Sequence, residues 1–246
     1  MPISTCSKVD CAASPDMHTV LAGGVGAARY LCGALEAFPP STVTAVVNVG
    51  DDVVLHGLHI SPDLDTCTYT LAGAIDPERG WGLVNETWKA MAELGRYGGD
   101  NWFGLGDRDL GTHLFRTARL HAGASLTSVT AEIATAWGLS CKLLPVTNQS
   151  VETRVPLTDG SEIGFQEYFV RLAHSVEVTG VRFDGADTST VSREALDAIK
   201  SADGLVIAPS NPIVSIGPIL AIPGVTEAVV ARRDRNVAVS PIVGGA

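Results

Sequence analysis

An apolar run at residues 19–22, a glycine turn, a helical stretch at 27–37 and a second apolar run at 43–48 follow one another directly. The turn reads Ala22-Gly23-Gly24-Val25-Gly26. Tyr30, Leu31, Ala34 and Leu35 share one helical face, and Pro39-Pro40 ends the helix. Strand, turn, helix and strand in this order open a doubly wound parallel sheet, because each strand needs a helix to cover it. The predicted fold class is therefore α/β, Rossmann-like, with a mostly parallel sheet.

An acidic stretch comes immediately after the second strand. Val49-Gly50-Asp51-Asp52 is followed by Ser61-Pro62-Asp63-Leu64-Asp65-Thr66. Four carboxylates beside a turn suited to phosphate would repel phosphate unless a hard cation stood between them. That pattern suits divalent-metal-assisted chemistry on a nucleotide or another phosphate ester. Asp63 and Asp65 are read as part of an extended loop, where they face opposite ways. Asp51 can converge with either of them on Mg²⁺, which takes one or two carboxylates plus water and phosphate oxygens. The structural alternative is that Pro62-Asp63 opens a turn and Asp65 caps a helix beginning at Thr66.

Further along, helices are predicted at 66–75, 85–96, 109–121 and 125–137. Leu110, Leu114 and Ala118 mark the core face of the third, and Ser125 caps the fourth. These helices are read as a cap of about residues 66–140 inserted over the sheet. Strands are expected at 141–145, 151–157, 162–165 and 176–182, with a hairpin turn at Asp159-Gly160. A helix at 192–201, a strand at 204–208, a helix at 225–232 and a strand at 237–240 complete a single domain, residues 18–246. The leader, residues 1–17, is polar and contains a second methionine, Met17. It reads either as a disordered extension or as the product of an upstream start codon.

Composition narrows the function classes. Of 246 residues 46% are hydrophobic, enough for a large core, and mean hydropathy is +0.22. A net charge of −10 argues against a broad basic face for nucleic acid, so an anionic ligand must be held by local devices. No apolar run is long enough to span a bilayer, and the leader lacks the apolar centre of a signal peptide. Five cysteines without a Cys-x-x-Cys pair suit reduced thiols in the cytoplasm.

The glycine turn departs from known fingerprints. Arg29 stands where a dinucleotide fold has its third glycine, and no Lys-Ser/Thr follows as in a P-loop. Its physical use is to bring backbone N–H groups up to an anion at a helix N-terminus. Ile207-Ala208-Pro209-Ser210-Asn211-Pro212 forms a second rigid loop after a buried strand, and Ser215-Ile216-Gly217-Pro218 follows it. The two loops can wall one crevice at the carboxyl ends of their strands. In Gly106-Asp107-Arg108-Asp109, Arg108 can bridge a diphosphate, or Asp109 can cap the helix that follows. His56, His59 and His113 lack metal-ligand spacing and are read as polar contacts.

Together these runs resemble the 2-phospho-L-lactate or phosphoenolpyruvate transferases of coenzyme F420 biosynthesis. The resemblance rests on Leu21-Ala22-Gly23-Gly24-Val25-Gly26-Ala27-Ala28-Arg29, Val46-Val47-Asn48-Val49-Gly50-Asp51-Asp52 and Ser61-Pro62-Asp63-Leu64-Asp65-Thr66. It continues through Trp81-Gly82, Gly106-Asp107-Arg108-Asp109, Pro209-Ser210-Asn211-Pro212, Ser215-Ile216-Gly217-Pro218 and Ser240-Pro241-Ile242-Val243-Gly244. Trp81 and Asn101-Trp102-Phe103 are most similar to the actinobacterial branch. Relative to that family the leader is extra, and a segment beyond residue 246 is expected to be missing.

The resemblance implies a Mg²⁺-dependent transfer from a guanosine-diphosphate-linked three-carbon acid. The acceptor would be the ribityl hydroxyl of 7,8-didemethyl-8-hydroxy-5-deazariboflavin, with GMP leaving. Asp51 and Asp63 would hold the metal, and Asp65 would be a further ligand or the base. Gly23, Gly24, Gly26, Arg29, Asn48, Thr66, Arg108, Ser210, Asn211 and Ser215 would bind the substrates, the glycine turn and the Ser210-Asn211 loop holding the nucleotide, with Trp102 and Phe103 near the deazaflavin. A homodimer is also implied.

Two other readings compete. A non-enzymatic nucleotide-sugar-binding regulator of the same superfamily would share the glycine turn, but Pro62-Asp63-Leu64-Asp65-Thr66 and Gly106-Asp107-Arg108-Asp109 favour the transferase. A nicotinamide-dependent oxidoreductase is disfavoured by Arg29 and by the lack of a single acidic residue closing the second strand.

Overall fold

The computed structural model describes residues 16–242. The leader was expected over residues 1–17; of these, residues 1–15 lie outside the described residues, as do residues 243–246, while Met17 N–H donates to Asp203 Oδ2 at 2.8 Å.

Strand β1 (His18–Ala22) feeds helix α1 (Gly24–Ala37), which returns to strand β2 (Val43–Val47). β1 and β2 pair in parallel from His18↔Val43 to Ala22↔Val47. Every residue of β2 is buried, the mark of a parallel strand covered on both faces. The crossover that follows carries a hairpin, β3 (Val53–Leu55) with β4 (Leu58–Ile60), and then helix α2 (Pro62–Leu71). Helices α3 (Lys89–Arg96), α4 (Asp109–His121) and α5 (Leu126–Ala136) lead to β5 (Lys142–Pro145), which pairs with β2 in parallel.

A small antiparallel sheet comes next, formed by β6 (Glu152–Pro156), β7 (Glu162–Gly164) and β8 (Arg182–Asp184) in the order β7-β6-β8. Helix α6 (Arg193–Ser201) then returns the chain to β9 (Gly204–Ile207). Short helices α7 (Gly217–Ala221) and α8 (Val225–Val230) precede β10 (Asn236–Ala238).

The central sheet has the order β10-β9-β1-β2-β5, and all its pairs are parallel. From β1 the chain first builds outward through β2 to β5, then returns to β9 on the other side. The order therefore reverses between β1 and β9, and a crevice opens there beyond the strand ends. Helices α2 and α5 pack on the sheet layer beside α1 and β5. Ile60, Met91 and Leu105 form a separate apolar cluster with Phe103 and Leu110 around the hairpin, α3 and α4. No helix among the described residues is long and apolar enough to cross a membrane.

Several expectations are corrected. Helix α2 begins at Pro62, four residues before the predicted start, because proline suits the first turn. Asp63 and Asp65 therefore occupy that helical turn instead of an extended loop. Helix α3 begins at Lys89 and not at 85, because Asn85 adopts a φ of 57° that no helix accommodates. Residues 176–182 contribute only a Leu157↔Val178 bridge before β8. Two π-helical turns, Glu167–Arg171 and Pro212–Ile216, and the β3–β4 hairpin are additional.

Candidate active site

The loops after β1 and β9 meet at the switch point. Ser210 Oγ donates to the Gly23 carbonyl at 2.7 Å. A Cβ on Gly26 would stand 2.1 Å from the Pro209 carbonyl oxygen, and one on Gly23 would stand 2.8 Å from Ser215 Cβ. These two glycines are needed because the proline loop lies directly against them. Gly26→Ala should lower the melting temperature by about 5 °C or more, since overpacking backbone against backbone costs about 1–3 kcal/mol. Calorimetry of the two proteins checks this; an unchanged transition would contradict the close approach.

A cleft of about 880 Å³ opens above this contact. Gly24, Asp51, Asp63, Asp65, Thr66, Phe103, Asn211 and Ser215 of the expected site residues line it. Gly23, Gly26 and Ser210 form its foundation. Asn211 Oδ1 accepts from Ile213 N–H at 2.9 Å and Val214 N–H at 3.2 Å, which leaves its amide nitrogen as a free donor. Arg29 is exposed on α1 and Trp102 packs edge-on against Phe103; neither lines the cleft.

Asn48 is fully buried and acts on a carboxylate instead of a ligand. Its Oδ1 accepts from Gly50 N–H at 2.7 Å, and its Nδ2 donates to Asp63 Oδ2 at 2.9 Å. Asp63 also accepts from Gly24 N–H. Burial still prevails over these two bonds and pushes Asp63 up to about 6. Asp51 is raised well above the carboxylate range, first by burial and then by Asp63 and Asp52 beside it. Asp52 is raised by burial as well, against the bond from Ser61 Oγ at 2.6 Å. Asp51 and Asp63 thus share a buried site without a cation of their own among the described residues.

Asp65 has one. Both its oxygens accept from the guanidinium of Arg116, which is 2% exposed. Arg116 Nη1 also donates to the His59 carbonyl at 3.3 Å and stands 3.3 Å from His113 Nδ1. Asp109 Oδ1 accepts from the Tyr69 hydroxyl at 2.6 Å, so Asp109 does not cap α4. The residues that do the capping are Glu86, which accepts from the N–H groups of Arg108 and Asp109 at 2.9 Å, and Asp107, which accepts from Lys89 N–H at 3.1 Å and Ala90 N–H at 3.0 Å at the start of α3. Arg108 itself is exposed and donates to the Val84 carbonyl, outside the cleft lining.

Among the described residues, Asp65, Asp109 and His113 bring possible ligand atoms within 4.8 Å of one another. The Arg116 cation already occupies both Asp65 oxygens there, so the charge demand for an ion is greater at Asp51 and Asp63.

Residues 19–246 match the family model described as 2-phospho-L-lactate transferase CofD. The chain belongs to this family. It is 50% identical over 233 residues to the phosphoenolpyruvate transferase of Nocardia farcinica, covering 92% of this chain and 70% of that one. Identity to the phosphoenolpyruvate transferase of Mycobacterium avium is 47% over 252 residues, covering 92% of this chain and 75% of that one. Protein BH3568 of Bacillus halodurans, a solved structure, shares the fold at a TM-score of 0.63 and 22% identity, covering 92% of this chain and 68% of that one. The chain is a transferase enzyme of the actinobacterial type, as its motifs led one to expect.

Within this CofD-family site, Arg116 is the residue that sequence reasoning missed. Asp109, His113 and Arg116 fall on one face of α4 at i, i+4 and i+7, a spacing that was available in the chain. The apolar row Leu110, Leu114 and Ala118 drew attention to the wrong face: Leu114 is 57% exposed, while His113, Arg116 and Thr117 are buried.

Proposed function

We propose that the cleft transfers a phosphoenolpyruvyl or 2-phospholactyl group from a guanosine-diphosphate-linked donor to the ribityl hydroxyl of 7,8-didemethyl-8-hydroxy-5-deazariboflavin. GMP is released, and the product is an intermediate of coenzyme F420 biosynthesis. The observation that carries this reading is the pair Asp51 and Asp63, buried beside the glycine turn without a counter-charge. Two such carboxylates fit Mg²⁺, which when bound neutralises the diphosphate and the charge developing on it.

The protein's own residues supply the rest. Asp63 takes the Gly24 N–H at the start of α1, and the N–H groups that follow in the first turn are the anion site we assign to the donor's diphosphate. Gly24, Asn211 and Ser215 line the donor side, and Thr66 adds a hydroxyl. Asn48 keeps Asp63 aimed at the cleft. In the transfer, the acceptor oxygen bonds to the phosphorus that carries the three-carbon acid as the bond to the GMP oxygen breaks. The hydroxyl proton passes to Asp65, on a lone pair that its bonds to Arg116 leave free, and the electron pair of the broken bond leaves with GMP. Positioning and charge neutralisation suffice for such a loose transition state, so no covalent intermediate is invoked. Apolar walls that include Trp81, Phe103 and Phe169 suit the planar deazaflavin. Buried thiols at Cys67 and Cys141 accord with a cytoplasmic setting, and we assign the family's homodimer to the chain as well.

The test is Asp63→Asn, assayed for GMP release at saturating Mg²⁺ with each three-carbon donor. A loss of roughly a thousandfold is expected, since a metal ligand supports several kcal/mol of transition-state stabilisation. Activity within a few-fold of the parent would show that Asp63 does not hold the metal.

A further inference from the structure

The small antiparallel sheet touches the acidic loop at one buried residue. Thr153 lies in β6, 102 residues along the chain from Asp51, and is fully buried. Its backbone N–H donates to the Gly50 carbonyl at 2.7 Å, and its hydroxyl donates to Asp51 Oδ1 at 3.4 Å. A Cβ on Gly50 would stand 2.9 Å from that hydroxyl oxygen and 2.7 Å from Pro218 Cβ, so a glycine there is what lets the hydroxyl reach the carboxylate. Gln166, just beyond β7 in the same sheet, donates from Nε2 to the Asp51 carbonyl at 3.3 Å.

These contacts divide the work. The Thr153 N–H and the Gln166 amide hold the backbone of residues 50 and 51, so the Thr153 hydroxyl acts on the Asp51 side chain alone. That side chain needs a donor, because Asp63 and Asp52 both repel it. Asn48 supports it too, but the Asn48 amide nitrogen donates to Asp63 at 2.9 Å. A bond at Oδ1 restricts the rotation of a carboxylate that lines the cleft. The donor is also neutral. It orients Asp51 and leaves the carboxylate's charge for an ion, whereas the Arg116 guanidinium neutralises Asp65.

We propose that Thr153 is a positioning residue for the metal: its hydroxyl holds the Asp51 carboxylate in the orientation that receives the ion, so that β6 sets the metal affinity of the cleft. This rests on the assignment of Asp51 as a metal ligand made above.

The probe is Mn²⁺, which takes the same oxygen ligands as Mg²⁺ and whose free ion is counted by electron paramagnetic resonance. It is titrated into the protein alone, without donor or acceptor. Thr153→Val and Thr153→Ala lack the hydroxyl but keep the backbone N–H. Both should bind Mn²⁺ about tenfold more weakly than the parent, the usual worth of a group that orients a metal ligand. Thr153→Ser keeps the hydroxyl and should bind nearly as tightly as the parent. Alanine and serine differ only in that hydroxyl, so this pair decides the matter even where valine upsets the buried strand. Thr153→Ala binding as tightly as the parent, or Thr153→Ser binding as weakly as Thr153→Ala, would overturn the inference. Asp51→Asn separates it from the reading beneath it. Weak binding by Asp51→Asn beside parental binding by Thr153→Ala would remove the role of Thr153 alone. Equal affinities of Asp51→Asn and the parent, or no binding by either, would remove Asp51 from the metal site, and the inference with it.

Discussion

Asp51→Asn is expected to make the metal-free protein more stable while reducing transfer by about a thousandfold or more. The two effects have one cause. Asp51 is buried against Asp63 and Asp52, with no cation of its own, so its charge costs free energy in the folded state. An amide keeps the shape, and the Thr153 hydroxyl, 3.4 Å from Asp51 Oδ1, can rotate to suit it. Removing the charge relieves repulsion, but it also removes a proposed ligand of the metal.

The pH dependence follows with a definite sign. Asp63 titrates near 6 in the folded chain against 3.8 for the free group. A raised folded value gives stability that is complete below about pH 4 and lost as pH rises through about 6, on the order of 3 kcal/mol. Metal-free protein should thus melt higher at pH 5 than at pH 8, and Asp51→Asn should flatten that difference. Mg²⁺ should raise the melting temperature of the parent at pH 8 and do much less for the variant. A variant that melted lower at pH 8 without metal, or gained as much from Mg²⁺, would show that Asp51 bears no uncompensated charge.

Local patterns made much of the sheet readable in the chain itself. Uninterrupted apolar runs identified β1 and β2, and the spacing of Ala34 and Leu31 identified the buried face of α1. Ser125 caps α5 through its hydroxyl oxygen, a signal contained in a few consecutive residues. The convergence of the β1 and β9 loops was also legible, because the rule for crevices needs only strand order. What escaped were features decided by distant partners. Asp109 was offered as the cap of the helix that follows it, yet the capping residue in this run is Asp107, which caps a helix that starts earlier in the chain. Asn48 was expected to touch ligand, yet its amide is used up on Asp63 and Gly50. Each is a polar residue whose role depends on which of several acceptors the fold brings near, and spacing alone does not rank them.

Arg116→Met is expected to lower the melting temperature by about 10 °C or more. Burial works against the Arg116 charge, yet pairing with Asp65 outweighs it and raises the guanidinium above its ordinary value. Methionine fills much of the same space without supplying charge, so Asp65 would be left buried and unpaired. Breaking such a pair from one side costs about 3–5 kcal/mol, and each kcal/mol is worth about 2–4 °C in a domain of this size. Replacing Asp65 as well, with Leu, removes the stranded charge, and the double variant should recover most of the lost stability while remaining inactive. The deficit of the single variant should also shrink toward pH 5. An unpaired buried carboxylate takes a folded value above its unfolded one, so its penalty fades as protonation becomes possible. If instead the double variant melted no higher than Arg116→Met, the loss would lie in the guanidinium's bond to the His59 carbonyl and its packing on α4. Arg116 would then be a fastening for the β3–β4 hairpin instead of the counter-charge that lets a third aspartate stay in the cleft.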